Sequence, residues 1–442
     1  MNIQLSDHFT YRRLLRFVAP SIVMMVFTSI YGVVDGLFVS NFVGKTPFAA
    51  LNLIMPMIMI FGAVGFMIGT GGSALVAKTL GEGDRERANS YFTMLIKLDL
   101  IAGIIIAILG IFITEPVAVL LGADEDLLPH CVVYGRIVML AQPAFMLQNA
   151  FQSFLITAEK PKFGLLVTVF AGCTNILLDL LFVGVSGWGL VGAALATGLS
   201  QVVGGVVPLF YFLRENSSLL RLKRTRMKAA PLLKACANGS SELMSNLSMS
   251  LVGMLYNMQL LSLAGENGVA AYGVIMYVNF IFVSIFIGFS IGTAPIIGYH
   301  YGALNSAELK SLLRKSITLV CSAGVLMTVI AELLSSTLAA MFVSYDAELL
   351  ELTTRGFRLY SLSFLLCGFN IFGSAFFTAL NNGAVSAIIS FLRTLLFQVT
   401  ALFVLPLFLK VDGIFLAIVA AEIAAFILTI IFMLAKRKKY GY

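Results

Sequence analysis

Residues 16–44 read RFVAPSIVMMVFTSIYGVVDGLFVSNFVG, an apolar run in which Asp35 lies about two-thirds of the way along and Pro20 lies one turn inside the start. About 20 apolar residues suffice for a helix to cross a bilayer. A carboxylate at membrane depth costs roughly 2.5–3.5 kcal/mol on insertion scales, and such residues usually serve in an ion pair, a proton relay or a substrate site. The stretch therefore predicts a membrane-spanning helix that carries a functional acid.

The rest of the chain has the same character. Its 442 residues are 59% hydrophobic and only 12% charged, whereas a soluble domain carries about 25% charged residues. We therefore predict an all-α polytopic membrane protein with twelve transmembrane helices. The twelve apolar segments lie at about 16–42, 48–78, 91–114, 127–157, 162–184, 189–213, 234–262, 269–300, 311–334, 347–379, 384–409 and 413–435.

The distribution of basic residues predicts the orientation of these spans. If the N-terminus is cytoplasmic, 22 of the 29 Lys and Arg residues fall in cytoplasmic segments, and the acidic clusters at 124–126 and 346–351 fall on the other side. The positive-inside rule then predicts a multi-pass protein of the plasma (inner) membrane with both termini in the cytoplasm. The net charge of +7 is thereby explained by loops beside a lipid bilayer, so we expect no nucleic-acid partner.

The two halves of the chain align at an offset of 221 residues without a gap. The alignment is supported mainly by matched polar and loop residues, including Asn149 with Asn370, Ser153 with Ser374 and Gly81 with Gly302. We predict an N-terminal six-helix lobe at 1–213, a basic cytoplasmic linker at 214–233 and a C-terminal six-helix lobe at 234–442. Six is an even number of spans, so the repeats are parallel and related by a pseudo-two-fold axis along the membrane normal.

The loop that follows the second span reads LVAKTLGEGDRERA at 75–88, and its counterpart reads IIGYHYGALNSAEL at 296–309. Together with twelve spans, equivalent halves, Pro20 and Asp35 on the first helix, and NILLDLLFV at 175–183, these motifs resemble the multidrug and toxic compound extrusion (MATE) transporters. The GSSEL start of the seventh span resembles the bacterial multidrug-efflux subgroup. The resemblance covers the whole chain and implies export of small molecules by alternating access.

The N-terminal lobe offers a site for ion coupling. Asn175 and Asp179 are four residues apart and share one helix face, and Thr197 lies on the next span. With Asp35 they could form a hydrogen-bonded cluster, in which two carboxylates in a low dielectric favour proton binding. The same oxygens could instead hold Na+, and Asp179 could merely cap a helix or pair with a neighbour. The resemblance implies that Asp35, Asn175, Asp179 and Thr197 form the ion-coupling cluster.

Pro20 removes a backbone hydrogen bond, so the first helix can bend there. The bend could be passive, but the resemblance implies a hinge that responds to protonation.

The C-terminal lobe has no counterpart of Asp35, because the offset places Tyr256 there. Its own carboxylates are Glu242 and Glu422, and the resemblance implies that they face a cavity, although Glu242 could be an interfacial residue. Asp99, with Lys97 nearby, is interpreted as structural. Candidate cavity or helix-packing residues within the spans include Gln142, Asn149, Asn279 and Asn370.

These patterns predict an antiporter that exports amphipathic, often cationic, drugs or toxic compounds in exchange for H+ or Na+, and that functions as a monomer. We expect neither an enzyme nor a cofactor, because the nearest approach to a phosphate-binding loop, GSALVAKT at 72–79, has Ala77 in place of the required Gly.

A flippase for a lipid-linked saccharide is the alternative, but it requires a strongly cationic cavity. Only Lys97, Arg136 and Arg393 are main candidates for basic residues at membrane depth. A channel fits the two equivalent lobes poorly.

Overall fold

The structure is a computed structural model that describes residues 3–38 and 42–442, without the side chains of residues 33, 35–38 and 45. This part of the chain is helical and contains no strand. The α-helices are α1 Tyr11–Phe38, α2 Lys45–Gly81, α3 Arg85–Leu120, α4 Leu128–Leu140, α5 Gln142–Thr157, α6 Pro161–Asp179, α7 Gly189–Leu213, α8 Ala229–Gly302, α9 Ser306–Val343, α10 Ala347–Ser361, α11 Phe364–Ala379, α12 Gly383–Phe391, α13 Gln398–Val404 and α14 Pro406–Tyr440. A π-helical turn extends α6 over Leu180–Val185, and a second joins α12 to α13 over Leu392–Phe397.

The described helices account for twelve spans. Nine are long and apolar enough to cross a membrane, and two bent pairs, α4 with α5 and α10 with α11, each supply one more. The longest, α8, has 74 residues and would be about 110 Å long as one helix, far more than a bilayer core of about 30 Å. Non-helical φ and ψ angles at Gly265 (63° and −154°) divide it into two spans. The predicted twelve-helix fold is therefore confirmed.

The two bent spans are a feature that hydropathy did not predict. The axes of α4 and α5 differ by 57° across Ala141, and those of α10 and α11 differ by 47° across residues 362–363. Ala141 and Leu362 are equivalent at the offset of 221 residues. Pro143, in the first turn of α5, accounts for the first break because it cannot donate a backbone hydrogen bond. The bends are therefore shared by both halves, although only one contains proline.

The two halves meet through reciprocal contacts between α2 and the second half of α8. A Cβ atom added to Gly81 would overlap the carbonyl oxygen of Tyr299, and one added to Gly302 would overlap the carbonyl oxygen of Lys78. Gly81 and Gly302 are equivalent in the repeat, and so are Lys78 and Tyr299. The contact is therefore pseudo-symmetric, and it needs glycine because the backbones themselves touch.

A second pair of close contacts follows the same symmetry. Gly71 on α2 lies against Gly239 on the first half of α8, and Gly292 on the second half of α8 lies against Val18 on α1. The offset of 221 relates Gly71 to Gly292 and Val18 to Gly239. The packing thus reproduces the register that was read from the sequence.

Both termini lie at one end of the bundle, called the termini end below. A single buried cluster contains Leu5 and Phe9 near the N-terminus and Tyr440 and Tyr442 at the C-terminus. The same cluster includes Ile296 near the end of α8, so the close contacts of Gly81 and Gly302 also belong to the termini end. We use this end as a reference for the position of each site.

The N-terminal segment joins the two halves at the termini end. The backbone N–H of Leu5 donates to Glu159 Oε1 at 2.6 Å, at the turn between α5 and α6. His8 Nδ1 lies 2.6 Å from Glu308 Oε2, and the backbone N–H of Phe9 donates to Glu308 Oε1 at 2.9 Å, at the start of α9. Burial raises the pKa of the Glu159 carboxyl, although the hydrogen bond from Leu5 opposes this effect. The segment therefore links one loop of each half.

Candidate functional site

Helices α1 and α6 pack in parallel in the N-terminal half. The sulfur of Met24 approaches Gly164, and one to two turns further on, Phe27 and Tyr31 cover Gly172, where a Cβ atom would overlap the Phe27 ring. The contact advances in the same direction along both helices, so they run parallel. The residue one helical turn after Tyr31 on α1 therefore lies at the same depth in the bundle as the residue one turn after Gly172 on α6.

This register places the predicted coupling residues at one level. Asp35 is one turn beyond Tyr31, and Asn175 and Asp179 are one and two turns beyond Gly172. The backbone of α1 continues through Pro20 as helix, but the side chain of Asp35 lies outside the described part of the molecule. The helix register therefore favours a site between α1 and α6, and the contacts of Asp35 itself stay a prediction.

Asn175 and Asp179 lie in the interior of the N-terminal half. Asn175 is 2% exposed and Asp179 is fully buried. The π-helical turn Leu180–Val185 begins immediately after Asp179. Such turns are rare and frequently occur at functional sites, because the extra residue shifts side chains away from regular helical positions. The irregular backbone directly after Asp179 therefore supports a functional role for this residue.

Thr197 reaches the same level from α7. Helices α6 and α7 are antiparallel neighbours, and Gly192 packs against Phe182. Five residues further along α7, Thr197 is level with the turn that contains Asn175 and Asp179. Among the described residues, Thr197 Oγ1 and Asn175 Nδ2 have no hydrogen-bond partner. They leave one hydroxyl and one amide group available to a ligand or to Asp35.

The equivalent level in the C-terminal half has different chemistry. Tyr256, which stands where Asp35 stands in the repeat, is fully buried and stacks on Tyr272 with ring centroids 4.9 Å apart and planes at 7°. Gln398 Nε2 donates to Tyr256 Oη at 3.3 Å. The tyrosine hydroxyls keep their protons at neutral pH, so this aromatic pair with a neutral amide cannot bind and release a proton there as a carboxylate pair can.

The C-terminal half also contains a buried ion pair. Arg393 Nη2 donates to Glu422 Oε1 at 2.7 Å, and Arg393 Nε donates to the same carboxylate at 2.9 Å. Asn370 Nδ2 donates to Glu422 Oε2 at 2.6 Å. The Glu422 side chain is 1% exposed, so the bidentate partner neutralises it inside the protein. Arg393 belongs to the second π-helical turn.

This ion pair is not predicted from the sequence, where Arg393 is weighed only as a cation that could bind the phosphate of a lipid. The signal that could have found it is the presence of one cation and one anion within the last two apolar segments. Charges inside membrane spans usually pair with each other. Glu422 is consequently a weaker candidate for direct binding of a cation than its burial alone suggests.

We predict that Glu422→Gln destabilises the protein by about 3–5 kcal/mol, because Arg393 would be left buried without its counter-charge. Thermal unfolding in detergent measures this effect. The double variant Arg393→Met/Glu422→Leu removes both charges and should recover most of the loss. An unchanged unfolding temperature in Glu422→Gln would contradict the structural role of the pair.

Of the remaining polar candidates, two are engaged in helix packing and two, Asn279 and Glu242, are described by their exposure. Gln142 Nε2 and Asn149 Nδ2 donate to the backbone carbonyls of Ile58 and Gly62 on α2, at 3.5 and 3.2 Å, which is the bonding of helix packing. Asn279 is 9% exposed. Glu242 is half-buried, and no hydrogen bond or ion pair joins its carboxylate to another described residue. Of the predicted substrate residues, Glu242 therefore offers the most accessible charge.

Comparison with known proteins agrees with this architecture. The MatE family model matches residues 20–181 and again residues 243–404, one match in each half and together well over half of the chain. The multidrug export protein MepA of Staphylococcus saprophyticus is 24% identical over 413 residues, which cover 93% of this chain and 91% of that protein. MepA of Staphylococcus haemolyticus is 23% identical over 414 residues, with coverage of 93% and 90%.

Solved structures share the fold over nearly the whole chain. The outward-facing conformation of a multidrug resistance MATE family transporter has a TM-score of 0.93 at 23% identity and covers 99% of this chain and 98% of its own. A MATE protein in complex with MaL6 has a TM-score of 0.93 at 22% identity, with coverage of 98% of both chains. The double match of the family model, the repeat and the twelve-span fold together identify the chain as a member of the MATE family of transporters.

Proposed function

We propose that this protein is a secondary active antiporter that exports amphipathic, often cationic, drugs or toxic compounds in exchange for H+ or Na+. The observation that carries the proposal is the buried Asp179 on α6, level with Asn175, Thr197 and the backbone of Asp35. Export is also the activity named for the MepA relatives. Asp35 and Asp179 would bind the coupling ion, and Asn175 and Thr197 would orient them.

Competition between ion and substrate would couple the two movements. Binding of H+ or Na+ neutralises a carboxylate and changes the relative free energies of the two lobe arrangements, so that substrate is released. Each pH unit across the membrane supplies about 1.4 kcal/mol per proton. A potential of 100 mV supplies about 2.3 kcal/mol per charge. These free energies are sufficient to drive accumulation ratios of tenfold or more.

The close contacts at the termini end suggest which state the structure represents. The halves meet there through Gly81 and Gly302, so the cavity between them would open at the opposite end. We propose that the termini end is cytoplasmic, that the state is outward-facing, and that Pro20 acts as a hinge during the return. The lobes would comprise 1–213 and 234–442, joined by the linker 214–233, in a monomer of the plasma membrane.

Substrate recognition is assigned to the C-terminal half with Glu242 as the counter-charge for cations. Tyr256, Asn279 and Asn370 are secondary candidates in the same half, and Glu422 would act through its pair with Arg393. Gln142 and Asn149, in the N-terminal half, are weaker candidates because both amides donate to backbone carbonyls of α2. Aromatic and Met side chains adapt to the shape of varied apolar cations. This division leaves ion binding in the N-terminal half.

The flippase alternative is disfavoured because each basic residue predicted at membrane depth already has a partner. Lys97 Nζ donates to the carbonyl of Thr225, Arg136 pairs with Glu115 at 3.2 Å, and Arg393 pairs with Glu422. Each of the three cations is therefore already engaged. A lipid phosphate would need free cations inside the cavity.

The proposal is tested with purified protein in proteoliposomes loaded with a cationic dye. We expect dye movement to require an imposed H+ or Na+ gradient and to be accompanied by counter-movement of that ion. Setting the two gradients separately identifies the coupling ion. Dye movement that is independent of both gradients, or saturable transport of a lipid-linked saccharide in place of the dye, would overturn the proposal.

A further inference from the structure

Asp99 is a buried acid that the proposed coupling cluster does not use. It lies on α3, fourteen residues or about 21 Å after the helix begins at Arg85, and its side chain is fully buried. Lys97, two residues earlier, points away, because residues two apart do not share a helix face. Lys97 is exposed and donates to the carbonyl of Thr225 at 3.2 Å in the linker. Lys97 is therefore not a counter-charge for Asp99.

No other described residue takes that role. Neither Oδ1 nor Oδ2 of Asp99 has a hydrogen-bond partner within residues 3–38 and 42–442, and no ion pair of the described residues includes this acid. The Cys236 thiol on α8 is close enough to Asp99 for the two groups to interact electrostatically, and a thiol cannot supply a positive charge. The described Lys and Arg side chains on the helices packed against α3 are engaged or exposed: Lys78 pairs with Glu82, Arg136 pairs with Glu115, and Lys234 is exposed. Glu242, the half-buried acid on the same part of α8, has the same sign of charge as Asp99 and cannot neutralise it.

A carboxylate in this setting would be an isolated charge in a low dielectric. Its ionisation there would cost several kcal/mol, and binding of a proton removes that cost. From this geometry we propose that Asp99 is a second proton-binding site, separate from the Asp35 and Asp179 cluster, and that it is occupied in the conformation described here. The ligand of this site is a single proton.

The part of α3 that carries Asp99 packs against the start of α8, which belongs to the other half. Leu95 and Ile96, one turn before Asp99, belong to a buried cluster that also contains Leu232 and Ala235 at the start of α8. This part of α8 is held against α2 by the backbone contact of Gly239 with Gly71. Separation of the halves at the termini end would remove that cover and admit water to Asp99.

Asp99 would then lose its proton to the termini end when the halves separate there. This step uses the lobe movement of the proposed function and rests on it, whereas the occupied site does not. The two acids of the coupling cluster lie nearer the opposite end of the bundle, since they are one to two turns beyond Tyr31 and Gly172. Along its own helix Asp99 is fourteen residues from the termini end, whereas Asp179 is eighteen and Asp35 is twenty-four, so a proton at Asp99 is the nearer to the termini end.

Infrared spectroscopy of the purified full-length protein at neutral pH tests whether Asp99 holds a proton. We expect the difference spectrum between wild type and Asp99→Asn to contain a protonated carboxyl band. The difference spectrum between wild type and Asp126→Asn, which changes an exposed acid in the α3–α4 loop, should lack one. An identical band in wild type and Asp99→Asn would overturn the proposal. If Asp99→Asn does not fold, Asp99→Glu keeps the acid and should shift the band, whereas an unshifted band would overturn the assignment.

A second measurement tests the dependence on lobe contact. In Gly302→Leu, which cannot keep the backbone contact with Lys78, the Asp99 band should disappear at the same pH. Persistence of the band in an opened Gly302→Leu protein would overturn the release step. Failure of the proposed function gives a different result, because wild-type proteoliposomes would then lack ion-dependent dye movement whatever the state of Asp99.

Discussion

Asp179→Asn is expected to reduce ion-driven dye export at least tenfold and to remove the accompanying ion movement. The substitution keeps the size of the side chain and eliminates its charge at a fully buried position on α6. A neutral amide can neither release a proton near neutral pH nor neutralise Na+. Export should fail while the protein still folds, since the loss concerns the ion and not the packing. Dye and ion fluxes in proteoliposomes measure both effects.

The same reasoning applies to Asp35→Asn, and the double variant should be no worse than either single variant, because residues that act as one unit are not additive. Asp126→Asn is the control, since this exposed loop acid lies outside the spans. Coupled export at wild-type rates in Asp179→Asn would remove the N-terminal cluster from the mechanism. Independent, multiplied losses in the double variant would argue for two separate sites.

Gly302→Leu is expected to abolish transport by preventing closure at the termini end. Any Cβ at residue 302 would overlap the carbonyl oxygen of Lys78, and this obstacle is backbone that cannot rotate away. The halves must therefore separate at this point, which disfavours the conformation described here. Spin labels at Glu86→Cys and Lys310→Cys, on exposed positions of the two halves, should report longer distances in the variant.

The repeat supplies both a replica and a control for this experiment. Gly81→Leu should have the same effect, because a Cβ there would overlap the carbonyl oxygen of Tyr299. Gly273 lies on the same half of α8 as Gly302, and nothing lies within 4 Å of a Cβ added to it. Gly273→Leu should therefore transport at rates close to those of the wild type. Equal distances in Gly302→Leu and wild type would show that the contact does not control opening.

Much of the fold could be predicted because its causes are local or periodic. Apolar length alone determines that a segment spans the bilayer, so the twelve spans and their order followed from the sequence. The register of the repeat was equally accessible, since matched residues such as Gly81 and Gly302 recur at one offset. The reciprocal packing of these glycines confirms the register. The bends at Ala141 and at residues 362–363 were not predicted, because hydropathy does not record helix direction.

The candidate site was predictable only in part. An acid within an apolar span is visible in the sequence, and so Asp35, Asp179, Glu242, Glu422 and Asp99 could all be found there. The spacing of Asn175 and Asp179 predicted a shared face, because four residues are about one helical turn. The π-helical turn after Asp179 carries no such signal. Its position depends on how α6 packs against α1 and α7.

The sequence by itself determined that this protein spans a membrane twelve times, repeats one six-helix unit and buries several acids. Only the tertiary structure decided what each acid meets: Glu422 has Arg393 and Asn370, whereas Asp99 has no partner among the described residues. The physical reason is that burial follows from hydropathy along one helix, but charge pairing requires contact between helices that are distant in the chain. Asp99 and Glu422 look alike in the sequence and differ only in their neighbours.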